Sequence, residues 1–193
     1  MKIDIILAGV GGQGILSIAA IIGTAAVNMG WFLKQAEVHG MSQRGGDVQS
    51  HLRLSDTEIY SDLIPFGQAD MIISVEPMES LRYLPYLSEK GWLITNTKAF
   101  INIPNYPEIE SVLAEIKKLP HHIAIDADDI AKSMQASKSA NMVILGAAAP
   151  FLGIKYEKLE AAIRKVFEKK GDEIINLNIA ALNSGRNYAE NIK

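Results

Sequence analysis

The sequence predicts an α/β fold, with helices on both faces of a mostly parallel sheet and a helical C-terminal part. Three observations predict it. Short apolar runs rich in β-branched residues recur, separated by apolar segments of helical length. A glycine cluster, GVGGQG at 9–14, stands directly between the first run and the first helix. One polar stretch, EVHGMSQRGGDVQSH from Glu37 to His51, interrupts the alternation. It carries two histidines, one arginine and three glycines with little apolar bulk, which suits a site better than a core element.

The elements follow in order. Ile3 to Ala8 is a glycine-bounded apolar run and predicts a buried strand. Gln13 to Met29 is rich in Ile and Ala and predicts a helix ending at Gly30. Trp31 to Val38 predicts a second strand, so the chain opens β-α-β as a parallel sheet does. Val48 to Leu54 alternates apolar with polar residues and predicts a half-exposed strand. The turn signal Ser55-Asp56-Thr57 lets Glu58 to Ile64 return as its antiparallel partner. This hairpin insert is expected to project from the sheet or to extend its edge.

Regular alternation then resumes. Met71 to Val75 predicts a strand, and Pro77 opens a helix in a region that Gly91 ends. Trp92 to Asn96 is the next strand, Lys98 to Pro107 a looser connection, and Glu108 to Leu119 a helix. Ile123 to Asp126 is a short strand, with Asp126 or Asp128 capping the helix after it. Asn141 is expected to cap the small-residue helix NMVILGAAAPFLG, which Pro150 kinks or ends. Tyr156 to Lys169 places Leu159, Ile163, Val166 and Phe167 on one face, and Gly171 separates it from a last helix, Asp172 to Glu190. The order describes a Rossmann-like, three-layer α/β/α architecture in one domain over residues 1–193.

Composition bounds the function. The chain has 193 residues, 48% hydrophobic and 21% charged, enough to bury a core. A net charge of −3 with no basic excess argues against a nucleic-acid partner. There is no cysteine, which removes disulfides, thiolate zinc sites, catalytic thiols and cysteine-held iron–sulfur clusters. The longest apolar run, Ile15 to Val27, falls short of the ~20 residues a membrane helix needs. The expectation is a soluble, cytoplasmic chain with no membrane partner.

Two stretches carry chemistry. Gly9, Gly11 and Gly14 form G-x-G-x-x-G after a strand and before a helix, the context of a dinucleotide fingerprint. Gly9 would make the tight turn, Gly11 would let a phosphate approach the backbone, and Gly14 would let helix and strand pack closely. Gly12 and Gln13 complete the loop. Glu37 stands where a ribose-binding acid is expected. A free-standing NAD(P)-binding protein or reductase is therefore one reading; the other is a glycine-rich turn that binds nothing by itself. In the second stretch Arg44, between Gln43 and Gly45-Gly46, offers a planar charged fork for phosphate, carboxylate or an acidic partner. His39 and His51 have no ligand set at a recognisable spacing, so no metal site is expected and structural roles are preferred. Asp126, Asp128 and Asp129 read as caps and solvated acids, His121-His122 carries no catalytic mark, and Met71, Met78, Met134 and Met142 read as core. No G-x-S-x-G elbow and no P-loop lysine is present.

GVGGQG, then QAEVHGMSQRGGDVQSHLRLSD, then NMVILGA, then NLNIAALNSGRNYA occur in this order. Together they resemble the gamma domain of the 2-oxoacid:ferredoxin oxidoreductases, over nearly the whole chain. Within that family EVHGMSQRGG is most similar to the beta subunits of the indolepyruvate branch. The resemblance implies a small, cofactor-poor subunit whose larger partner carries thiamine diphosphate and iron–sulfur clusters and passes electrons to ferredoxin. It implies oxidative decarboxylation of indolepyruvate or other aryl pyruvates to an aryl-acetyl-CoA, with the isolated chain inactive. Gly9, Gly11, Gly12, Gln13 and Gly14, with Glu37, His39, Gln43, Arg44, Gly45 and Gly46, would then bind a ligand or border the shared active site, in a crevice that supplies donors to the coenzyme A phosphates or shapes the thiamine pocket.

Overall fold

The computed structural model describes residues 1–39 and 45–192, with the His39 side chain outside that set. Six strands form one sheet: β1 (Lys2–Val10), β2 (Phe32–His39), β3 (Asp47–Ser55), β4 (Ala69–Ser74), β5 (Leu87–Asn96) and β6 (His122–Ile125), in the order β2-β3-β1-β4-β5-β6. The pairings β1–β4, β4–β5 and β5–β6 are parallel, and β3 runs antiparallel to both of its neighbours. Seven helices are described: α1 (Ile15–Val27), α2 (Pro77–Arg82), α3 (Ile109–Ile116), α4 (Ala127–Ser133), α5 (Ala140–Ala148), α6 (Tyr156–Val166) and α7 (Asp172–Ile192).

The alternation of side chains along each strand builds two cores. Ile3, Ile5 and Leu7 of β1 join Leu52, Leu54, Met71, Ile73 and Ile94 against α1, α5, α6 and α7. Ile6 and Ala8, with Ile72 and Leu93, face the other way, against Val112 and Ile116 of α3 and Tyr83. The strands buried on both faces are the near-continuous apolar runs that the sequence shows, as expected where helices cover a parallel sheet.

The hairpin differs from expectation. β3 does not project; it fills the gap between β1 and β2, with Ile5 opposite Leu52 and Gln35 opposite Leu52 on the other side. Glu58 to Ile64 is not its partner strand, since residues 58–64 are irregular. The polar face of β3 holds this segment by side chains instead. The Arg53 guanidinium donates to the carbonyls of Ser61 (2.9 Å) and Leu63 (3.0 Å), and the Ile64 N–H donates to His51 Nδ1 (3.0 Å). Hydrogen bonds that a strand would make are made by two side chains, so β3 is more buried than its alternation suggests. His51 is 4% exposed. Arg53 also forms a two-pronged ion pair with the fully buried Asp4 directly opposite it (2.8 and 3.0 Å).

Because Nδ1 of His51 accepts from a backbone N–H, its neutral tautomer carries the proton on Nε2. The Gln49 side chain, 2.9 Å from Nε2, must then present its oxygen there. Burial, and then the Arg53 charge, hold the His51 pKa below its ordinary 6.5. The unfolded chain therefore takes up this proton first as pH falls. Stability is complete above about pH 6.5 and is lost below it, towards the depressed folded value. Thermal unfolding between pH 8 and pH 5 should show this acid-side loss, and His51→Asn, which keeps an acceptor without a titrating ring, should reduce it. Parallel pH profiles for the two proteins would refute the assignment.

Two smaller differences concern boundaries. Gly91 lies inside β5 and does not end the element before it. Asn141 is not the cap of α5, whose N-cap is Ser139; its side chain is used elsewhere, as described below. Asp126 does cap α4, accepting from Asp129 N–H at 2.8 Å. Pro150 sits in the short 3-10 turn that follows α5.

Candidate functional site

The carboxyl ends of β1, β4, β5 and β6 lie along one rim of the sheet, where ligands of open α/β folds bind. β1 stays paired with β3 as far as Val10, opposite Asp47, so Gly9 lies in the strand and the turn falls at Gly11-Gly12. A side chain at Gly9 would meet Val75 Cγ2 at 2.4 Å. Gly14 is the left-handed N-cap of α1 (φ 82°), and its carbonyl accepts from Asn141 Nδ2 at 3.0 Å. A Cβ there would stand 2.4 Å from that nitrogen, so only glycine satisfies both the backbone and the contact. Gln13 braces the loop from inside: its Oε1 accepts from Val10 N–H (2.8 Å) and its Nε2 reaches the Val75 carbonyl (3.5 Å).

The two residues that lead into β3 are stitched to this loop. Gly11 N–H donates to the Gly46 carbonyl (2.8 Å), and Gly45 N–H lies 3.5 Å from the Gly11 carbonyl. The sequence-predicted neighbours Gly9–Gly14 and Gly45-Gly46 are thus brought together. Gln43 and Arg44 lie outside the described residues, as does the His39 side chain. Glu37 is not brought in. It is exposed on the edge strand β2, and β3 separates it from β1, a gap of about 10 Å at ordinary strand spacing. A ribose-binding acid belongs on the strand beside β1, so this topology does not build the dinucleotide arrangement that the glycine pattern suggested.

Two adjoining cavities open at the loop. The larger, about 590 Å³, is bordered by Gly12, Gly14, Ser17, Lys138, Lys170 and Asn178, among others. The second, about 340 Å³, is bordered by Val75, Asn96, Asp128 and Ile144. Gly12, Gln13, Ser137, Lys138 and Asn141 border both. Of the first-turn N–H groups of α1, that of Ser17 donates to the Gly14 carbonyl (3.1 Å), and the helix dipole favours negative charge at this end. Two lysines beside it make a locally positive cavity in a chain of net charge −3. The second cavity is the more polar in character: Asn96 is 4% exposed, donates to Asp128 (2.7 Å) and accepts from Ala127 N–H (3.1 Å). Sequence reasoning missed Lys138, Lys170 and Asn178 as site residues. The one local signal was Ser137-Lys138-Ser139, a short polar break between two helices, entered through Gln135 at φ 57°.

The family model "Pyruvate ferredoxin/flavodoxin oxidoreductase" matches residues 4–188. The chain belongs to this family. Curated members include the indolepyruvate oxidoreductase subunit IorB of Archaeoglobus fulgidus, 36% identical over 98% of this chain and 96% of the relative. The gamma subunit of a keto/oxoacid ferredoxin oxidoreductase from Geobacter sulfurreducens superposes with a TM-score of 0.70 at 25% identity, over 98% of this chain and 99% of that one. The 2-oxoglutarate:ferredoxin oxidoreductase of Magnetococcus marinus, whose structure has 2-oxoglutarate, coenzyme A and succinyl-CoA bound, shares the fold with a TM-score of 0.73 at 21% identity. This chain aligns over its full length with about a third (32%) of that longer one.

Family membership places the chain among oxidoreductase subunits. Among the described residues no group of three or more His, Asp or Glu could hold a metal ion, and the sequence has no cysteine to hold a cluster. No helix among the described residues is long and apolar enough to cross a membrane. Asp126 acts as a helix cap, and His51 serves the fold.

Proposed function

We propose that this chain, as one gamma-type domain, is the small subunit of a thiamine diphosphate-dependent 2-oxoacid:ferredoxin oxidoreductase acting on indolepyruvate and related aryl pyruvates. The larger partner holds thiamine diphosphate and the iron–sulfur clusters, and electrons leave to ferredoxin. The present chain contributes the rim at Gly9–Gly14 and Gly45-Gly46 to a shared active site and receives coenzyme A there. The naming of IorB relatives supports the substrate class, and the ligands of the Magnetococcus enzyme support the coenzyme.

The single observation that carries the coenzyme reading is Lys138. It borders both cavities, and the larger is also lined by Gly14 and Ser17 at the amino end of α1 and by Lys170. A phosphate-rich cosubstrate fits such a place: two lysines and the amino end of a helix border the larger cavity, whose lining has no carboxylate among the described residues. In this role the chain binds and orients the acyl acceptor while chemistry proceeds on the partner's side.

Co-expression with the thiamine-containing chain should yield a complex that reduces an electron acceptor when given indolepyruvate and coenzyme A. Lys138→Ala is expected to raise KM for coenzyme A about tenfold, the loss of one charge-assisted contact, and to leave KM for the 2-oxoacid unchanged. An unchanged KM for coenzyme A would refute the crevice assignment. Failure to form any such complex, or tight nicotinamide nucleotide binding by the isolated chain, would refute the subunit reading.

A further inference from the structure

Residues 97–108 connect β5 to α3 without regular structure and cross the rim of the sheet beside the glycine loop. Irregular connections longer than about 12 residues are uncommon in a compact domain, and this one is at that limit. This one is fastened at defined points. The carboxyl group of Glu76, just past β4, is fully buried. One oxygen accepts from Glu79 N–H (2.8 Å) and caps α2; the other accepts from Phe100 N–H (3.3 Å) and from the Tyr106 hydroxyl. Burial, and then the bond to Glu76, push the Tyr106 pKa well above its ordinary value, so the phenol remains a donor. A buried carboxyl group is costly unless every lone pair finds a donor, and two of these donors belong to the connection.

Between those fastenings lies Asn102. Its Nδ2 donates to the Gly45 carbonyl at 2.8 Å. Its Oδ1 is buried and has no hydrogen-bond partner among the described residues, so the side chain is placed by its donor side alone. Gly45 is a left-handed glycine (φ 80°) with open space where a Cβ would be. Yet Gly45-Gly46 is what holds Gly11. The contacts form a series: Glu76 to Phe100 and Tyr106, Asn102 to Gly45, Gly45-Gly46 to Gly11.

We propose that the 97–108 connection is a positioning element for the glycine loop, with Glu76 and Tyr106 fixing it and Asn102 acting through Gly45-Gly46 on Gly11. Its kinetic consequence rests on the coenzyme A reading above; its structural consequence does not. Both are read with Asn102→Asp, which removes the donor at constant shape, and Tyr106→Phe, which leaves the Glu76 cap of α2 intact.

In the isolated full-length chain, both variants should speed amide exchange at Gly11 more than in the core strand β4; Asn102→Asp should change the unfolding temperature little, and Tyr106→Phe should lower it by about 2–8 °C, because it takes a donor from the buried Glu76. In the assembled enzyme they should raise KM for coenzyme A about three- to tenfold, the range of one hydrogen bond, with kcat and KM for the 2-oxoacid within about twofold. Unchanged exchange at Gly11 in both variants overturns the proposal. So does faster exchange with an unchanged KM in an enzyme where Lys138→Ala raises it. If Lys138→Ala is itself silent, the coenzyme reading falls, and the exchange result alone still decides whether the connection positions the loop.

Discussion

Replacing Gly146 or Gly185 by alanine is expected to lower the unfolding temperature by about 6–12 °C, from a loss of ~3 kcal/mol in a domain of this size. The two glycines lie where α5 and α7 cross. A Cβ on Gly146 would stand 2.0 Å from the Leu182 carbonyl oxygen, and one on Gly185 would stand 1.9 Å from that of Val143. Both obstructions are backbone, so no rotamer change relieves them; the helices must move apart. Separation would also loosen Val143, Leu145, Ala147 and Leu182, all fully buried in the larger core. The site shares the cost, because α5 carries Asn141 to the Gly14 carbonyl. Calorimetry or thermal circular dichroism measures the effect. A shift of only a degree or two would mean that the helices do not touch through these glycines.

Breaking the Asp4–Arg53 pair should cost about as much as, or more than, either glycine change. Asp4 is fully buried, and Arg53 is mostly so. Asp4 has a second cation, Lys2 at 2.8 Å, and Arg53 also holds the carbonyls of Ser61 and Leu63. Removing Asp4 leaves the mostly buried Arg53 with carbonyl acceptors alone, and removing Arg53 leaves the buried Asp4 only the exposed Lys2. Asp4→Asn or Arg53→Met should each destabilise by about 3–5 kcal/mol, the range measured when a buried pair loses one member. The double replacement Asp4→Leu with Arg53→Met should be milder than the sum of the two single changes, because no buried charge is left alone. Arg53→Met should also expose residues 58–64 to protease. Additive single effects in denaturant unfolding would show that the two side chains do not act as a pair.

Much of the fold can be read directly from the residues. The runs at β1 and β4 are apolar because helices cover both faces, and their short length, β-branched residues and flanking turn signals reveal that. Asp126 is a cap by its position ahead of a helix. The edges of the reading failed where side chains replaced backbone as hydrogen-bond partners. Val48 to Leu54 alternates, and alternation implies water on one face; here Arg53 and His51 use that face to bind an irregular segment. The strand order was also hidden, because a β-α-β opening does not say whether a later strand will enter between its two strands.

The site divides in the same way. GVGGQG identifies itself, since glycines between a strand and a helix have few other uses. Gly45-Gly46 could be suspected of lying near it. Lys138, Lys170 and Asn178 could not, for each is an ordinary residue of a helix or turn more than a hundred positions from the glycine loop. Asn141 looked like a cap, and only the packing of α5 against the start of α1 turns it into a brace.

By itself the sequence determined the layer architecture, the glycine loop, the absence of any thiolate chemistry and the family. These depend on local patterns, whose periods and motifs survive without knowledge of contacts. The tertiary structure alone decided that β3 separates Glu37 from β1, that Asn102 reaches Gly45, and that two lysines border the cavity at the amino end of α1. Those are meetings of residues distant in the chain, fixed by strand order and helix packing, and no local pattern encodes them.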